Sequence, residues 1–207
     1  MPFEILPATK DDAPAFADIF LSAFSDDFNR KLFPPSQNVR EWWTGKFTAD
    51  FDKPQSNDVL LKAVDKTDAG QEVIAAFAIW NLPPPDPGAV NQCHEEMPQW
   101  PDEANKELCN WFISKMKEQR VRFVGGRRHY YLDMLGTRPD YHGRGMGSQL
   151  LKWGLAKADH DGLEAYLSAS PAGRPLYEKN GFNIVDSEEL LPGYFQSCML
   201  RPGKGTG

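Results

Sequence analysis

Apolar residues recur along this chain at two spacings, and each spacing predicts one type of element. Three short apolar runs, at residues 3–6, 59–64 and 73–80, predict strands. The polar residues between the second and third runs predict a turn, so these two strands are expected to pair as an antiparallel hairpin. After the first strand, Thr9 and Asp12 have capping-box spacing and predict a helix. The apolar face of that helix consists of Ala13, Phe16, Ala17, Phe20, Ala23 and Phe24.

The second half of the chain shows a similar alternation. An apolar stretch at residues 130–136 predicts a strand, and residues 149–159 carry apolar side chains at helical spacing. A further strand is predicted at residues 163–168. Ser170 is a favoured N-cap and Gly181 a favoured C-cap, so a short helix is predicted between them.

The middle of the chain interrupts this alternation. Residues 82–88 are too rich in proline for a helix or an inner strand, whereas residues 102–122 return to helical spacing. We therefore expect a single domain over residues 1–207 with a helical insert at about residues 82–125. Large apolar side chains of the insert and of an earlier segment either form the roof of a pocket or only bury one another. They are Phe28, Leu32, Phe33, Trp42, Trp43, Leu108, Trp111, Phe112 and Met116.

A glycine-rich run at residues 141–148, Tyr-His-Gly-Arg-Gly-Met-Gly-Ser, lies between the predicted strand and the helix that follows it. Glycines let a ligand approach the backbone, and the NH groups of a starting helix point toward an anion placed there. The arginine can add a charge-assisted contact. The run predicts a pyrophosphate-binding cradle formed by Gly143, Arg144, Gly145, Gly147 and Ser148.

Two other interpretations of the glycine run are less favoured. A turn that binds nothing is disfavoured because the run lies at the positive end of a predicted helix. A Rossmann dinucleotide site requires the order Gly-x-Gly-x-x-Gly, but the third glycine is displaced here. Too little chain follows the run for repeated βαβ units, which also argues against a Rossmann site.

Two motifs in this half of the chain resemble those of a known family, the GNAT superfamily of N-acetyltransferases. Residues 142–147 resemble its acetyl-CoA-binding motif Gln/Arg-x-x-Gly-x-Gly/Ala, with His142 at the first position. Residues 170–182 resemble its segment Asn-x-x-Ala-x-x-Leu-Tyr-x-Lys-x-Gly-Phe, with Ser170 at the first position. The resemblance implies an α/β (α+β) fold with a mixed, mostly antiparallel central sheet flanked by helices, and acetyl-CoA as cosubstrate.

The same resemblance implies roles for individual residues. Leu135 and Thr137 correspond to positions whose main chain pairs with the pantetheine arm, much as an added strand would. His142 and Ser170 correspond to further cofactor-binding positions. Tyr177 corresponds to a tyrosine near the CoA sulfur, where a phenol with an ordinary pKa of about 10 can protonate a leaving thiolate. The alternative for Tyr177 is a core aromatic whose hydroxyl is satisfied.

A transferase of this kind also requires a base, because an amine with an ordinary pKa of about 10 is mostly cationic at neutral pH. Asp133 lies on the strand that leads to the glycine run, with the same parity as Leu135 and Thr137. It is the candidate that accepts the amine proton, directly or through a chain of waters. The alternative is a strand carboxylate that pairs with arginine or faces solvent.

Composition excludes several other classes of function. The 207 residues are 41% hydrophobic and carry a formal net charge of −6, which fits a globular enzyme and disfavours a nucleic-acid surface. No long apolar stretch predicts a membrane span and no signal-peptide pattern is present, so a cytoplasmic protein without a membrane partner is expected. Cys93, Cys109 and Cys198 lack the spacing of a zinc site or a disulfide framework, and no metal is expected.

Together these features predict an acetyl-CoA-dependent N-acyltransferase that transfers acetyl to a primary amine by direct attack. The acceptor is expected to be a small-molecule amine or a peptide amine, and the protein to be a monomer or a homodimer. The alternative is a catalytically silent acyl-CoA-binding regulatory protein, because a binding site does not by itself imply turnover.

Overall fold

The computed structural model describes residues 3–53, 57–66, 70–89 and 97–205, and these ranges contain seven strands and six α-helices. The strands are β1 (Phe3–Pro7), β2 (Asp58–Lys66), β3 (Glu72–Asn81), β4 (His129–Thr137), β5 (Glu164–Ala169), β6 (Asn183–Leu191) and β7 (Tyr194–Arg201). The helices are α1 (Ala13–Ala23), α2 (Asp27–Leu32), α3 (Gln37–Phe51), α4 (Lys106–Val124), α5 (Met146–Asp161) and α6 (Arg174–Glu178).

The strands of the described chain form one sheet, in the spatial order β1-β2-β3-β4-β5-β7-β6. Neighbouring strands are antiparallel except β4 and β5, which are parallel. The predicted hairpin of β2 and β3 is confirmed. The sheet is therefore mixed and mostly antiparallel, as expected from the sequence.

Helices cover both faces of the sheet, and the alternation of side chains along β3 shows how. Ala76, Ala78 and Trp80 are buried in the core that contains the apolar face of α5. Phe77 and Ile79 are buried in the opposite core, which contains the apolar residues of α1 and α3. β3 thus supplies buried residues to both layers, which explains why its sequence is apolar at nearly every position.

Most predicted elements are confirmed, but the last helix begins later than predicted. α6 starts at Arg174, and the residue before it is Gly173 rather than Ser170. Ser170 closes a tight turn instead: the NH of Gly173 lies 3.2 Å from its Oγ and 3.1 Å from its carbonyl oxygen. The carbonyl oxygen of Ser170 also accepts from the NH of Arg174 at 3.0 Å, so Ser170 makes the contacts predicted for an N-cap, although the regular helix begins only after the turn at residues 171–173.

The parallel strands β4 and β5 are paired over only part of their length. Their register ends where Leu132 lies opposite Leu167. Beyond this point β4 continues beside β3 as far as Thr137, while β5 continues beside β7. The sheet therefore opens between β4 and β5, which is the splaying that the family resemblance implied.

A bulge in β4 lies where the sheet opens. Met134 lies opposite Ile79 and Leu132 lies opposite Trp80, so Asp133 is an extra residue in β4. A bulge interrupts the alternation of side chains along a strand. The parity that related Asp133 to Leu135 in the sequence therefore does not hold in the structure.

The predicted helix within the insert is confirmed as α4. The Asn105 side chain caps it by accepting a hydrogen bond from the NH of Leu108 at 3.0 Å. Residues 90–96, which include Cys93, lie outside the described residues. Among the helices that the structure describes, none is long and apolar enough to cross a membrane.

Candidate active site

A cavity of about 650 Å³ lies where β4 and β5 separate, beside the start of α5. Its volume falls within the range of about 300–1,000 Å³ that is typical of small-molecule sites. The cavity brings together all but one of the predicted site residues. Those that line it are Asp133, Leu135, Thr137, His142, Gly143, Gly145, Gly147, Ser148, Ser170 and Tyr177.

The glycine run leaves its backbone open to this cavity. Gly143 and Gly145 have φ values of +78° and +86°, in the left-handed region that favours glycine. A Cβ atom on either residue would meet nothing within 4 Å, so both positions border open space. Within the described chain, the backbone NH groups of residues 143–148 have no hydrogen-bond acceptor. Such NH groups at the start of a helix attract an anion, as the sequence predicted for a pyrophosphate.

The end of β4 lies against this glycine run. A Cβ atom on Gly147 would lie 3.1 Å from Thr137 Oγ1, so glycine allows the first turn of α5 to approach the strand. His142 Nε2 lies 3.0 Å from the carbonyl oxygen of Thr137. The predicted cofactor-binding side chain of His142 therefore ties the loop to the strand, while the neighbouring NH groups remain available.

Arg144 is the predicted site residue that does not line the cavity. Its guanidinium lies over the Tyr141 ring, 4.4 Å from the ring centroid, and 3.5 Å from the Asp65 carboxylate. The guanidinium also donates to the carbonyl oxygen of Asp140 at 3.4 Å, so the loop and Asp65 hold it outside the cavity lining. The anion-attracting feature of the described site is thus the row of backbone NH groups.

The open edge of β4 presents main-chain groups to the cavity. The NH of Arg138 donates to the carbonyl oxygen of Ala75 on β3 at 2.9 Å. Because residues of an antiparallel strand alternate between facing their partner and facing away, Leu135 and Thr137 direct their NH and carbonyl groups toward the gap left by β5. These are the two positions that the family resemblance implied for the pantetheine arm.

Tyr177 lies on α6 with its ring buried against the core and its side chain lining the cavity. The ring makes an edge-to-face contact with Phe182, with 6.0 Å between the ring centroids. Burial raises the pKa of the Tyr177 phenol well above its ordinary value, so the hydroxyl is protonated at neutral pH.

Asp133 lines the cavity at the bulge and is exposed to it. Its carboxylate accepts a hydrogen bond from the Tyr131 hydroxyl, and burial together with this carboxylate raises the pKa of Tyr131. The Arg120 guanidinium lies 3.8 Å from the centroid of the Tyr131 ring and donates to Asn81 Oδ1 at 2.9 Å. Asp133 is therefore linked to Asn81 through Tyr131 and Arg120. The sequence analysis missed this polar network because its members come from three distant segments of the chain.

Aromatic side chains form the remaining wall of the cavity. Of the predicted roof, Phe28, Leu32, Phe33, Trp42, Trp43, Phe112 and Met116 line it. Trp111 is 42% exposed on the outer side of α4 and takes no part in the lining. Trp100 and Tyr194 also line the cavity but were not predicted, since neither belongs to a periodic apolar pattern.

The cysteines and metal-binding side chains of the described residues suggest no other chemistry. No group of three or more His, Cys, Asp or Glu side chains in the described ranges could hold a metal ion. Cys109 and Cys198 are buried, and burial raises the pKa of the Cys109 thiol to about 11. A thiol with a raised pKa is a poor nucleophile at neutral pH.

The opened sheet, the glycine loop and the start of α5 together define the fold class of the N-acetyltransferases. Residues 107–184 match the family model described as "Acetyltransferase (GNAT) domain". This segment, from α4 to the start of β6, is therefore similar to a GNAT acetyltransferase domain.

Comparison with known proteins agrees with this assignment. The chain is 32% identical to the uncharacterized N-acetyltransferase YafP of Escherichia coli over 92 residues, which are 44% of this chain and 58% of that protein. It spans 59% of the length of a second curated relative. The chain thus covers less than two thirds of the length of either relative.

Solved structures with the same fold cover the whole chain. A structure of histone acetyltransferase HPA2 and related acetyltransferase from Corynebacterium glutamicum has a TM-score of 0.61 at 23% identity, with 100% of both chains covered. PaiA N-acetyltransferase from Thermoplasma acidophilum, solved in complex with coenzyme A, has a TM-score of 0.53 at 13% identity, with 98% of this chain and 99% of that chain covered. At these identities the likeness concerns the fold.

Proposed function

We propose that this protein is an acetyl-CoA-dependent N-acetyltransferase that transfers acetyl to a primary amine by direct attack. The observation that carries the proposal is the meeting of three features in one cavity. They are the unbonded NH groups of residues 143–148, the open edge of β4 and the buried phenol of Tyr177. The CoA complex of the structurally similar PaiA supports coenzyme A as the ligand.

The described residues fit the parts of acetyl-CoA in order along the cavity. The NH groups of Gly143, Gly145, Gly147 and Ser148 bind the pyrophosphate, because they border open space at the positive end of α5. The main chain of Leu135 and Thr137 pairs with the amide groups of the pantetheine arm. The thioester then lies near the place where β4 and β5 diverge, between Asp133 and Tyr177.

The reaction forms one bond and breaks another without a covalent enzyme intermediate. The amine nitrogen attacks the thioester carbonyl carbon, so a carbon–nitrogen bond forms and the carbon–sulfur bond breaks. Asp133 accepts the proton that the amine loses, directly or through water. The sulfur leaves as a thiolate, which accepts a hydrogen bond from the Tyr177 hydroxyl and takes its proton from solvent.

The raised pKa of Tyr177 determines how it assists this step. An ordinary thiol has a pKa of about 8.5, so a phenol with a pKa above 10 transfers its proton to a fully formed thiolate only uphill. Donation of a hydrogen bond while negative charge develops on the sulfur avoids that cost. Tyr177 therefore stabilises the departing sulfur, and proton transfer is completed as solvent supplies a proton.

Calorimetric titration with acetyl-CoA, followed by measurement of thiol release with a panel of amines, tests the proposed function. Binding together with amine-dependent thiol release supports the transferase. Binding without release by any amine would instead favour the acyl-CoA-binding regulatory protein. Absence of acetyl-CoA binding would contradict both.

Gly145→Ala is expected to weaken acetyl-CoA binding about 10-fold. A methyl group at a φ of +86° strains the loop by roughly 1–2 kcal/mol and projects into the space left open for the pyrophosphate. Gly193→Ala is the matched control, because Gly193 has a φ of +79° and open space around it but lies in the β6–β7 turn. Calorimetry should show the loss of affinity for Gly145→Ala alone; an equal loss in both variants would contradict a role for the cradle.

Asp133→Asn is expected to lower the transfer rate about 10-fold at pH 7. The difference in rate between the variant and the unchanged protein should become smaller as the pH approaches the pKa of the amine. The reason is that free amine becomes abundant at high pH whether or not a base is present. Rates measured from pH 6 to pH 10 check this expectation, with Asp102→Asn as a control at an exposed carboxylate paired with Lys106. A defect that is constant across this pH range would remove Asp133 as the base.

The remaining expectations about the whole protein belong to the same proposal. We propose that the described elements form one domain, that the protein is cytoplasmic, and that it acts as a monomer or a homodimer. Gel filtration with light scattering measures the oligomeric state directly.

A further inference from the structure

Two groups of aromatic side chains line the same cavity as the proposed transfer site. We call this part of the cavity the aromatic chamber and define it by Phe28, Phe33, Trp42, Trp100, Phe112 and Tyr194, all of which line the cavity. The same cavity includes Asp133 and Tyr177, so the chamber opens directly onto the proposed transfer site.

One group of rings stands on α2, α4 and the start of β7. The Phe28 ring is stacked with Tyr194, with centroids 5.3 Å apart, and meets Phe112 edge to face at 5.1 Å. Phe28 is fully buried, whereas Phe112 and Tyr194 retain partial exposure, which they present to the chamber. This wall therefore offers an apolar surface that the protein's own core does not cover.

The second group consists of Phe33, Trp42 and Trp100, and the two indole NH groups donate to atoms that do not line the chamber. Trp42 Nε1 donates to the carbonyl oxygen of Gln99 and Trp100 Nε1 donates to Asn110 Oδ1, each at 2.7 Å. The two indole rings lie 5.3 Å apart, and Phe33 contacts both. Because each indole NH already has a partner, the rings contribute their carbon surface to the chamber, in positions set before any ligand binds.

The charges on the cavity lining disfavour a polycationic acceptor. Among the described lining residues, the carboxylates are those of Asp26 and Asp133 and the ammonium groups are those of Lys46 and Lys117; Lys46 is itself paired with Asp50 at 2.7 Å. Asp26 is engaged as the cap of α2, since its Oδ1 accepts from the NH groups of Phe28 and Asn29 at 3.1 Å. Asp133 is thus the carboxylate of the described lining that lies at the proposed transfer site, where it can meet one cationic amine.

We propose that the acceptor is an aryl-substituted primary amine, in which a flat apolar ring is joined to the amine by a short saturated linker. This inference rests on the proposed function and specifies its substrate class. The ring lies between the two aromatic groups, and the linker carries the amine to Asp133 and the thioester. The amine loses a proton to Asp133 and becomes an amide as the CoA thiol leaves.

A set of amines that differ in one feature at a time tests the substrate class. We expect kcat/KM for 2-phenylethylamine to exceed that for n-propylamine by roughly 30-fold, because only the former buries a ring. Spermidine, glucosamine and a short peptide with a free amino terminus serve as the polycationic, polar and peptide alternatives. The readout is release of the CoA thiol by the full chain.

A matched pair of variants on adjacent residues tests the place of the ring. Phe112→Ala is expected to lower kcat/KM for 2-phenylethylamine about 10-fold more than kcat/KM for n-propylamine, chiefly through a higher KM. Trp111→Ala, which removes a larger but outward-facing ring from the same helix, should change neither value. Phe112→Leu provides a conservative variant that keeps the core filled and should show a smaller change of the same kind.

The outcomes separate this inference from the function on which it rests. Faster thiol release with spermidine, glucosamine or the peptide than with 2-phenylethylamine would overturn the aryl class while leaving the transferase intact. An equal loss on both simple amines in Phe112→Ala and Phe112→Leu would also overturn it. Thiol release with none of the amines, despite acetyl-CoA binding, would reject the transferase and the aryl acceptor together.

Discussion

Tyr177→Phe is expected to lower kcat by roughly 100- to 1,000-fold while changing the Kd of acetyl-CoA by less than about two-fold. The substitution removes one hydroxyl and keeps the ring that packs against Phe182, so the fold and the pantetheine groove are preserved. What is lost is a donor held protonated by burial beside the departing sulfur. Single-turnover thiol release and calorimetry measure the two quantities separately.

A second tyrosine provides the control for this experiment. Tyr130 is also buried, its hydroxyl donates to Asp161 at 2.6 Å, and it is not among the residues that line the cavity. Tyr130→Phe should therefore lower the free energy of unfolding by about 1.5–3 kcal/mol, the range for a lost hydrogen bond to a charged group, with little effect on kcat. If Tyr177→Phe retained the full rate, Tyr177 would be a packing residue and another donor would have to serve the sulfur.

The geometry of the glycine loop could be predicted from the sequence because the strand, the turn and the helix that form it are contiguous. A strand, a glycine-rich turn and a helix start follow one another within residues 129–148, and local rules describe each of them. The same holds for the capping box, in which the NH of Thr9 donates to Asp12 at 2.7 Å as its spacing predicted. The conformation of such motifs is determined by residues that are adjacent in the sequence.

Other parts of the site depend on residues that meet only in the folded chain. The bulge at Asp133 arises from the register of β4 against β3, which no pattern within β4 reveals. Arg144 seemed suited to a phosphate, yet its guanidinium lies beside Asp65 from the end of β2. The late start of α6 reflects a turn closed by Ser170, which competes with the helix for the same residues. Long-range pairing decided the first two features, and competition between local hydrogen bonds decided the third.

Because α5 packs closely on the sheet, Gly154→Ala is expected to lower the free energy of unfolding by about 3 kcal/mol. A Cβ atom at Gly154 would lie 2.2 Å from Cε2 of Trp80, whose ring is fully buried and whose Nε1 donates to the carbonyl oxygen of Leu150 at 3.2 Å. The indole cannot retreat without losing that hydrogen bond and its packing, so either the ring or the helix must shift. This cost exceeds the roughly 1 kcal/mol that alanine contributes through helix propensity.

Gly45→Ala measures the effect of helix propensity alone on the free energy of unfolding. Gly45 is exposed in the interior of α3, and a Cβ atom added there would meet nothing within 4 Å. The substitution should raise the free energy of unfolding by about 0.5–1 kcal/mol, so the two substitutions are expected to have opposite signs. Urea unfolding midpoints at unchanged m value measure both. A stabilised Gly154→Ala variant would mean that α5 can move away from Trp80. The start of α5 would then be an adjustable part of the site, contrary to a cradle whose NH groups are fixed before the pyrophosphate binds.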